Sequence, residues 1–299
     1  MLYHLRFLAV TTDLSVLPKL FTDLWNMQTL IFNTTKSVVQ VNADIWSMPK
    51  LRHIMVNASL EFSPPPKKGK DKSSSASSSR ADLQTLSTIS PNSCTEDIFA
   101  KTPNLLKLGV RGNLAELLES SGGICLFDNI HKLHNLDSLK LLHESANNQG
   151  SMLWTFPRPE KFPRKLRKLT LHKTSFGWKD ISILASLDKL EVLKLDEFAV
   201  NGDTWALNND AVFNNLQFLR IGRTDLATWT CGKDSFPVLK SLYLLHCEFL
   251  NALPLSLKDV KTLKLLDLFH TNKKAAPSAK EIRDHKPKGF ELTIYPPIH

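Results

Sequence analysis

Apolar residues recur along this chain in one pattern, L-x-x-L-x-L, in which Met, Ile, Val or Phe occasionally replaces leucine. In each copy the final pair of apolar residues is separated by a single residue, so both side chains point to one face of a short strand. The pattern therefore predicts a series of short strands, each with one apolar side. Eleven copies begin at Leu5, Met27, Leu51, Leu83, Leu105, Leu136, Leu166, Leu190, Leu216, Leu239 and Leu263.

The spacing of these copies predicts the architecture. Successive copies begin 22, 24, 32, 22, 31, 30, 24, 26, 23 and 24 residues apart, and leucine-rich repeats are about 20 to 29 residues long. One repeat cannot bury its apolar strand face alone, whereas stacked repeats bury it together. We expect an α/β leucine-rich repeat solenoid, a curved horseshoe with a parallel concave sheet and a convex side of irregular segments and short helices. It would comprise about eleven repeats and a closing C-terminal strand in GFELTIYPP, which contains Phe290, Leu292 and Ile294.

A second pattern follows the strands. Three residues after the last apolar strand residue, such repeats favour a small polar side chain that hydrogen-bonds buried backbone groups. Pro91, Glu144 and Phe198 break this pattern. In the other repeats this slot holds Asp13, Thr35, Ser59, Asn113, Thr174, Thr224, Cys247 and Thr271. We therefore predict that Cys247 is a structural residue rather than a nucleophile.

The stretch SPPPKKGKDKSSSASSSR contains no leucine, and the repeats resume after it. Pro, Lys and Ser without apolar anchors predict a disordered, solvated loop. We therefore predict one leucine-rich repeat domain over residues 1–299, with a disordered loop at 63–80 inside one repeat. The chain begins almost inside a repeat, whereas repeat arrays need caps, so we expect it to be a fragment of a longer protein.

Nearly half of the net charge of +9 lies in that loop. The loop carries five basic residues and Asp71, so 5 − 1 = +4 of the charge lies there and +5 remains for the rest of the chain. A strongly basic body would have indicated nucleic acid or an anionic membrane, and we expect no nucleic-acid partner. No segment reaches the roughly 18 apolar residues of a membrane span, while peripheral membrane association stays open.

The sequence lacks the motifs of catalysis. It contains no phosphate-binding loop, no H-E-x-x-H and no G-x-S-x-G, and its four cysteines form no C-x-x-C pair. So few thiols favour a reducing environment, and hence a cytoplasmic location. His131 and His134 could share a helical face, but without a third ligand such a pair is more often an ordinary surface pair. We expect no enzyme activity, no cofactor and no metal site.

The predicted concave face offers a surface for a partner instead. Its middle lane, the residue between the last two apolar positions of each strand, includes Lys140, Lys194 and Arg220. Neighbouring lanes add more basic residues, and together they form what we call the basic stripe, next to two aromatic residues. Arg and aromatic side chains are typical of binding hot spots, although solvated Lys and Arg are also common on strands. The predicted partner-binding surface comprises Lys107, Arg111, Lys140, Lys168, His172, Lys194, Phe218, Arg220 and Tyr243.

Longer passages carry a family likeness. They include LPKLFTDLWNMQTLIF, FPRKLRKLTLHKTSFGWKDISILASLDKLEVLKL, FPVLKSLYLLHCEFLNALP and the ending SAKEIRDHKPKGFELTIY. Over nearly its whole length the chain resembles the leucine-rich repeat region of plant nucleotide-binding disease-resistance proteins (NLRs), specifically the late blight resistance group of coiled-coil type.

This resemblance implies a function in plant defence. Such receptors carry a coiled coil and an ATP/ADP switch domain ahead of the repeats, and this sequence contains neither, so the resemblance implies a chain that is N-terminally truncated relative to the family. The implied partners are proteins: a pathogen effector or guarded host protein that the repeats recognise, and the switch domain that they restrain. A truncated decoy or non-signalling fragment would have the same sequence. A ubiquitin-ligase substrate receptor would need an adaptor helix, for which the segment before Leu5 has no room.

Overall fold

A computed structural model of the chain describes residues 4–62, 82–119, 125–144, 153, 155–208 and 210–297. The predicted loop at 63–80 lies outside the described residues. Tertiary contacts divide the chain into two compact units, Met1–Leu139 and Lys140–His299. We describe each unit by itself, and the prediction of a single domain stays a prediction.

The first unit is built from short parallel strands. They are β1 (Phe7–Thr12), β2 (Val16–Leu17), β3 (Thr29–Thr34), β4 (Val38–Val41), β5 (His53–Val56), β6 (Ser59–Phe62), β7 (Thr85–Ile89) and β8 (Lys107–Gly112), followed by the start of β9 (Ser138–His143). Strands β1, β3, β5, β7 and β8 pair in that order, and β2, β4 and β6 form a second parallel ladder. The helices are α1 (Glu96–Ala100), α2 (Ala115–Leu118) and α3 (Phe127–His131), with 3-10 turns at Lys19–Asp23, Ile45–Ser47 and Pro91–Ser93.

The second unit repeats the same arrangement. After β9 it contains β10 (Lys168–His172), β11 (Phe176–Gly177), β12 (Val192–Asp196), β13 (Val200–Asn201), β14 (Thr204–Ala206), β15 (Phe218–Gly222), β16 (Thr228–Thr230), β17 (Ser241–Leu245), β18 (Leu265–Phe269) and β19 (Glu291–Tyr295). In its main sheet the strands lie in the order β9, β10, β12, β15, β17, β18, β19, and those from β10 to β19 are parallel. Its helices are α4 (Trp178–Ile183) and α5 (Ala276–Asp284), with 3-10 turns at Pro159–Lys161, Leu184–Ser186, Leu255–Asp259 and Lys273–Ala275.

All eleven predicted repeat segments contain a strand, and the predicted closing strand is β19. On each main-sheet strand from β10 to β18, both apolar positions of the repeat pattern point inward and are buried. Leu193 and Leu219 are typical, and they are aligned on neighbouring strands. Each such buried side chain contributes about 1.5–3 kcal/mol of hydrophobic stabilisation. The fold is therefore a leucine-rich repeat fold, and the predicted fold class is confirmed.

The chain leaves the strands of the second unit through left-handed turns. Arg223, His246 and His270 follow β15, β17 and β18 directly and have φ angles of 46°, 54° and 49°. Such a conformation is uncommon for residues other than glycine. Here each backbone N–H donates to the last carbonyl of the next strand, as His246 does to Phe269 at 2.8 Å. These hydrogen bonds continue the ladder by one residue, and they hold the strained residues in place.

The predicted polar slot exists in the second unit. Thr174, Thr224 and Cys247 are buried there, and Thr174 Oγ1 donates to the carbonyl of Ala199 at 2.7 Å. Thr271 Oγ1 likewise donates to the carbonyl of Leu244 at 3.1 Å.

The same prediction holds only in part in the first unit. Ser59 is buried there, whereas Asp13, Thr35 and Asn113 are exposed, although Asn113 Oδ1 accepts from the backbone N–H of Ala115 at 3.3 Å. At two of these turns the backbone runs directly into a strand of the second ladder, β2 after Asp13 and β4 after Thr35. At the second of these turns the preceding residue, Thr34, is buried instead, and its Oγ1 donates to the carbonyl of Leu14 at 2.8 Å.

Candidate functional site

Strand register places most of the predicted binding residues on one face of the second unit. In the middle lane, Thr170 is aligned with Lys194, Lys194 with Arg220, and Arg220 with Tyr243. Lys168 and Phe218 lie one pleat earlier on the same face, and the leucines between them point to the core. Lys140 lies on β9 and is exposed. Of the predicted surface, the structure brings together Lys168, His172, Lys194, Phe218, Arg220 and Tyr243.

The two remaining predicted residues lie on β8 in the first unit. Lys107 is exposed. Arg111 Nη1 donates to the backbone carbonyl of Asn57, so this side chain has a structural contact. On the same strand Gly109 permits a close approach of the backbone, since a Cβ there would meet the carbonyl oxygen of Ser87.

Arg220 is paired, which sequence reasoning missed. Its guanidinium forms an ion pair with the carboxylate of Asp196, which lies diagonally across the sheet on β12. The signal for this partner was present in the sequence, because Asp196 lies two residues after Lys194 and therefore points to the same face. The pair is only partly exposed. The basic stripe in this unit thus owes its net charge to the lysines rather than to Arg220.

Lys194 lies against the aromatic residues. Its Nζ is 5.4 Å from the centre of the Phe218 ring, within the range of a cation–π contact. Phe218 in turn stacks on Tyr243, with ring centres 5.0 Å apart. Burial lowers the pKa of the Lys194 ammonium, and the charge of Arg220 lowers this pKa further. Cations are therefore crowded on this part of the sheet, which suits a partner that brings negative charge.

His172 ends the same face on β10. Burial lowers the pKa of its imidazole, and Lys173 acts in the same direction, while Asp196 raises it. At neutral pH this side chain is therefore mostly uncharged and adds polarity rather than charge to the basic stripe.

Sequence reasoning also missed an aromatic cluster beyond the stripe. The rings of Phe269 and Tyr295 stack with their centres 5.1 Å apart, and those of His246 and His270 stack at 5.2 Å. Phe269 also contacts both imidazoles edge-on. The alternation within β18 and β19 could have indicated Phe269 and Tyr295, because both are outward positions.

The thiols and imidazoles offer little for chemistry. Burial raises the pKa of the Cys94 thiol and raises that of Cys247 to about 12. Such thiols react slowly, because the thiolate is the nucleophile. Among the described residues, no group of at least three His, Cys, Asp or Glu side chains could hold a metal ion. Within the same residues, no helix is long and apolar enough to cross a membrane.

Comparisons with known proteins show that the chain is similar in sequence to late blight resistance protein homologs. It is 30% identical to a putative late blight resistance protein homolog of Solanum demissum, over 98% of this chain and 37% of that protein. It is 29% identical to a second homolog from the same plant, R1B-16, over 98% of this chain and 22% of that protein. A third homolog is 28% identical over 98% of this chain and 21% of its own length. The chain thus spans between about a fifth and somewhat more than a third of the length of these relatives.

The comparisons with protein-family models and with solved structures give weaker similarity. No protein-family model matches the chain. Among solved structures it is similar to the LRR protein LIC12759 of Leptospira interrogans, with a TM-score of 0.43 and 16% identity over 94% of this chain and 76% of that one. It is also similar to an internalin, InlF, of Listeria monocytogenes, with a TM-score of 0.45 and 12% identity over 98% of this chain and 87% of that one. Over nearly its whole length the chain is therefore similar to a part of late blight resistance protein homologs, and its fold is a leucine-rich repeat fold.

Proposed function

We propose that this chain is a protein-interaction region in plant defence and that the outward sheet face of its second unit is the binding surface. The observation that carries the proposal is the alignment of Lys194, Arg220 and Tyr243 across three neighbouring strands, with Phe218 beside them. Concave strand faces are where repeat proteins bind partners. Arg and aromatic anchors dominate the energy of such interfaces.

The proposed partners are acidic protein surfaces. One is the nucleotide-binding switch domain of the same or a related receptor, which the repeats would restrain. The other is a pathogen effector or a guarded host protein that the repeats would recognise. Lys140 and Lys194 are exposed or half-buried on this face and would contact carboxylates of either partner. The chain acts by binding rather than catalysis, and its cytoplasmic location stays a prediction.

Charge reversal on this face tests the proposal. We would combine Lys140→Glu with Lys194→Glu and measure binding to a switch domain from a late blight resistance relative, supplied as a separate protein. Two reversed charges at an interface change both attraction and repulsion. We therefore expect binding at least about tenfold weaker, and weaker binding of the unmodified chain as salt is raised.

The control reverses two exposed lysines of the same unit that are not on its main strands. These are Lys233, in the turn after β16, and Lys261, in the turn before β18. This double variant has the same net charge as the test variant. If both variants bind the switch domain equally well, the basic stripe is not the contact surface and the proposal is wrong.

A further inference from the structure

The last three strands of the second unit carry a surface of opposite character to the basic stripe. On β17, β18 and β19 the outward positions contain two carboxylates and no Lys or Arg. We call five of their side chains the acidic–aromatic patch: Tyr243, Asp267, Phe269, Glu291 and Tyr295. Lys240 and Lys264 directly precede β17 and β18, at the end of the strands where Glu291 begins β19, and Lys240 donates to the side chain of Gln217 at 2.8 Å.

Asp267 lies in the middle of this patch. It is aligned with Tyr243 on one side and with Thr293 on the other. Its Oδ1 atom is buried and has no hydrogen-bond partner among the described residues. Burial raises the pKa of its carboxyl group. A half-buried carboxylate of this kind gains most from a partner that donates hydrogen bonds and carries positive charge.

The aromatic part of the patch is exposed. Phe269 and Tyr295 retain 38% and 49% of their accessible surface although they stack on each other. Phe269 is also held edge-on by His246 and His270, so its orientation is fixed. Aromatic faces attract cations, and the attraction strengthens as the contact is desolvated.

On the neighbouring strands, an acidic side chain and an aromatic ring have cationic partners within the chain. Asp196 on β12 pairs with the guanidinium of Arg220, and the Phe218 ring lies under the ammonium of Lys194. The acidic–aromatic patch has the corresponding acceptor and ring in Asp267 and Phe269. The outward positions of its strands supply no such cation.

We infer that the acidic–aromatic patch binds an arginine-bearing segment of a protein partner, with the guanidinium between Asp267 and the stacked rings of Phe269 and Tyr295. Arginine fits better than lysine because its planar group can both bond a carboxylate through two N–H donors and stack on a ring. The inference rests on the proposed function, since it names a second contact on the same outward sheet face. A partner whose acidic segment contacts the basic stripe and whose arginine segment contacts the acidic–aromatic patch would then be held in one orientation across the strands.

The test uses the whole chain and a labelled, glycine-spaced triarginine peptide, with trilysine and triglutamate peptides for comparison. Binding is followed by fluorescence anisotropy at moderate salt. The net charge of +9 opposes diffuse binding of a basic peptide, so binding requires a local site. We expect the arginine peptide to bind more tightly than the lysine peptide and the glutamate peptide not to bind at this patch.

Variants locate the site. Asp267→Asn should weaken binding of the arginine peptide by about fivefold or more, and Phe269→Leu by about threefold, because each removes one of the two attractions. The matched controls are Asp188→Asn and Phe249→Leu, which change an exposed acid and an exposed ring that do not belong to the patch. Melting temperatures of all four variants show whether each is folded.

Two results would overturn the inference. One is equal binding of the arginine peptide by Asp267→Asn and Asp188→Asn, and the other is equal affinity of the unmodified chain for the arginine and lysine peptides. These outcomes are separate from those for the proposed function. Loss of switch-domain binding on reversal of Lys140 and Lys194 can occur whether or not the peptide depends on Asp267, and the converse also holds.

Discussion

The two sides of the strands in the second unit follow different rules. On the inward side, both repeat positions of every main-sheet strand from β10 to β18 are leucine or isoleucine, and all are buried. On the outward side, the middle lane changes from Thr170 through Lys194, Arg220 and Tyr243 to Asp267. Packing constrains the first side, because each repeat must bury the face of the next. The second side has no such constraint, so its residues are available for partners.

The buried side continues beyond the leucines into a stack of tryptophans. Trp205 lies between Trp178 and Trp229, with ring centres 4.7 Å and 5.1 Å away, and its Nε1 donates to Ser182 Oγ at 3.2 Å. These rings belong to three successive repeats. Each therefore stabilises its neighbours, as expected for an array held together by nearest-neighbour contacts.

The largest effect is expected from Trp205→Ala. This side chain is fully buried, and its removal leaves a cavity between two rings that cannot both move into it. We expect a loss of about 3–5 kcal/mol in the free energy of unfolding. Urea unfolding followed by far-ultraviolet circular dichroism measures this loss as a lower midpoint.

Phe249→Ala is the control on the exposed side. This ring lies in the turn after β17 and retains 57% of its accessible surface, so we expect a change within about 1 kcal/mol. Equal losses in the two variants would show that the tryptophan stack does not act as part of the packed side. The distinction between a packed inward side and an unpacked outward side would then not extend to the tryptophan stack.

The sequence was sufficient to predict the buried side. A period of two within each strand and a step of 22 to 32 residues between copies specify which residues point inward and which strands are neighbours. Cys247 and Thr174 were predictable for the same reason, because their slot repeats with the strands. The slot prediction was wrong at Thr35, because the preceding residue, Thr34, is buried in its place and its Oγ1 donates to the carbonyl of Leu14.

The outward side was only partly predictable. Alternation indicated that Lys194 and Arg220 share a face, and the register confirms this placement. It did not show that Arg220 would pair with Asp196, because a long side chain can choose among several diagonal neighbours. The charge on the surface therefore depends on side-chain geometry that a repeat pattern does not contain.

Cys247→Thr tests the polar slot that follows the strands of the second unit, and we expect it to have a small effect on the free energy of unfolding. Thr271 already occupies the same position and donates to the carbonyl of Leu244. Cys247 Sγ lies 3.6 Å from the carbonyl of Ile221, so a threonine hydroxyl would find an acceptor there. Because the side chains have similar volumes, we expect a change within about 1 kcal/mol at pH 7.

The same variant should alter the response to alkaline pH. Burial raises the pKa of the Cys247 thiol from 9.0 to about 12. The folded state therefore keeps a proton that the unfolded state loses, and the contribution of this thiol to stability is complete below pH 9 and disappears as the pH rises toward 12. Cys247→Thr removes this loss, so its stability relative to the unmodified chain should increase between pH 9 and 11 by up to about 1.4 kcal/mol per unit. Identical pH curves for the two proteins would contradict a buried, protonated Cys247.

The smallest effect is expected from Lys194→Ala on the outward side. The variant loses a cation–π contact with Phe218, worth about 0.5–1 kcal/mol at an exposed site. It also relieves the repulsion between Lys194 and the nearby charges of Arg220, Lys140 and Lys168. These contributions oppose each other, so the free energy of unfolding should change by no more than about 0.5 kcal/mol.

Asp196→Ala is the comparison within the same face, because it leaves the partly buried guanidinium of Arg220 without its carboxylate and should destabilise the fold more. If Lys194→Ala were the more destabilising of the two, the outward lysines would serve folding rather than binding, and the difference between the two sides of the sheet would not hold.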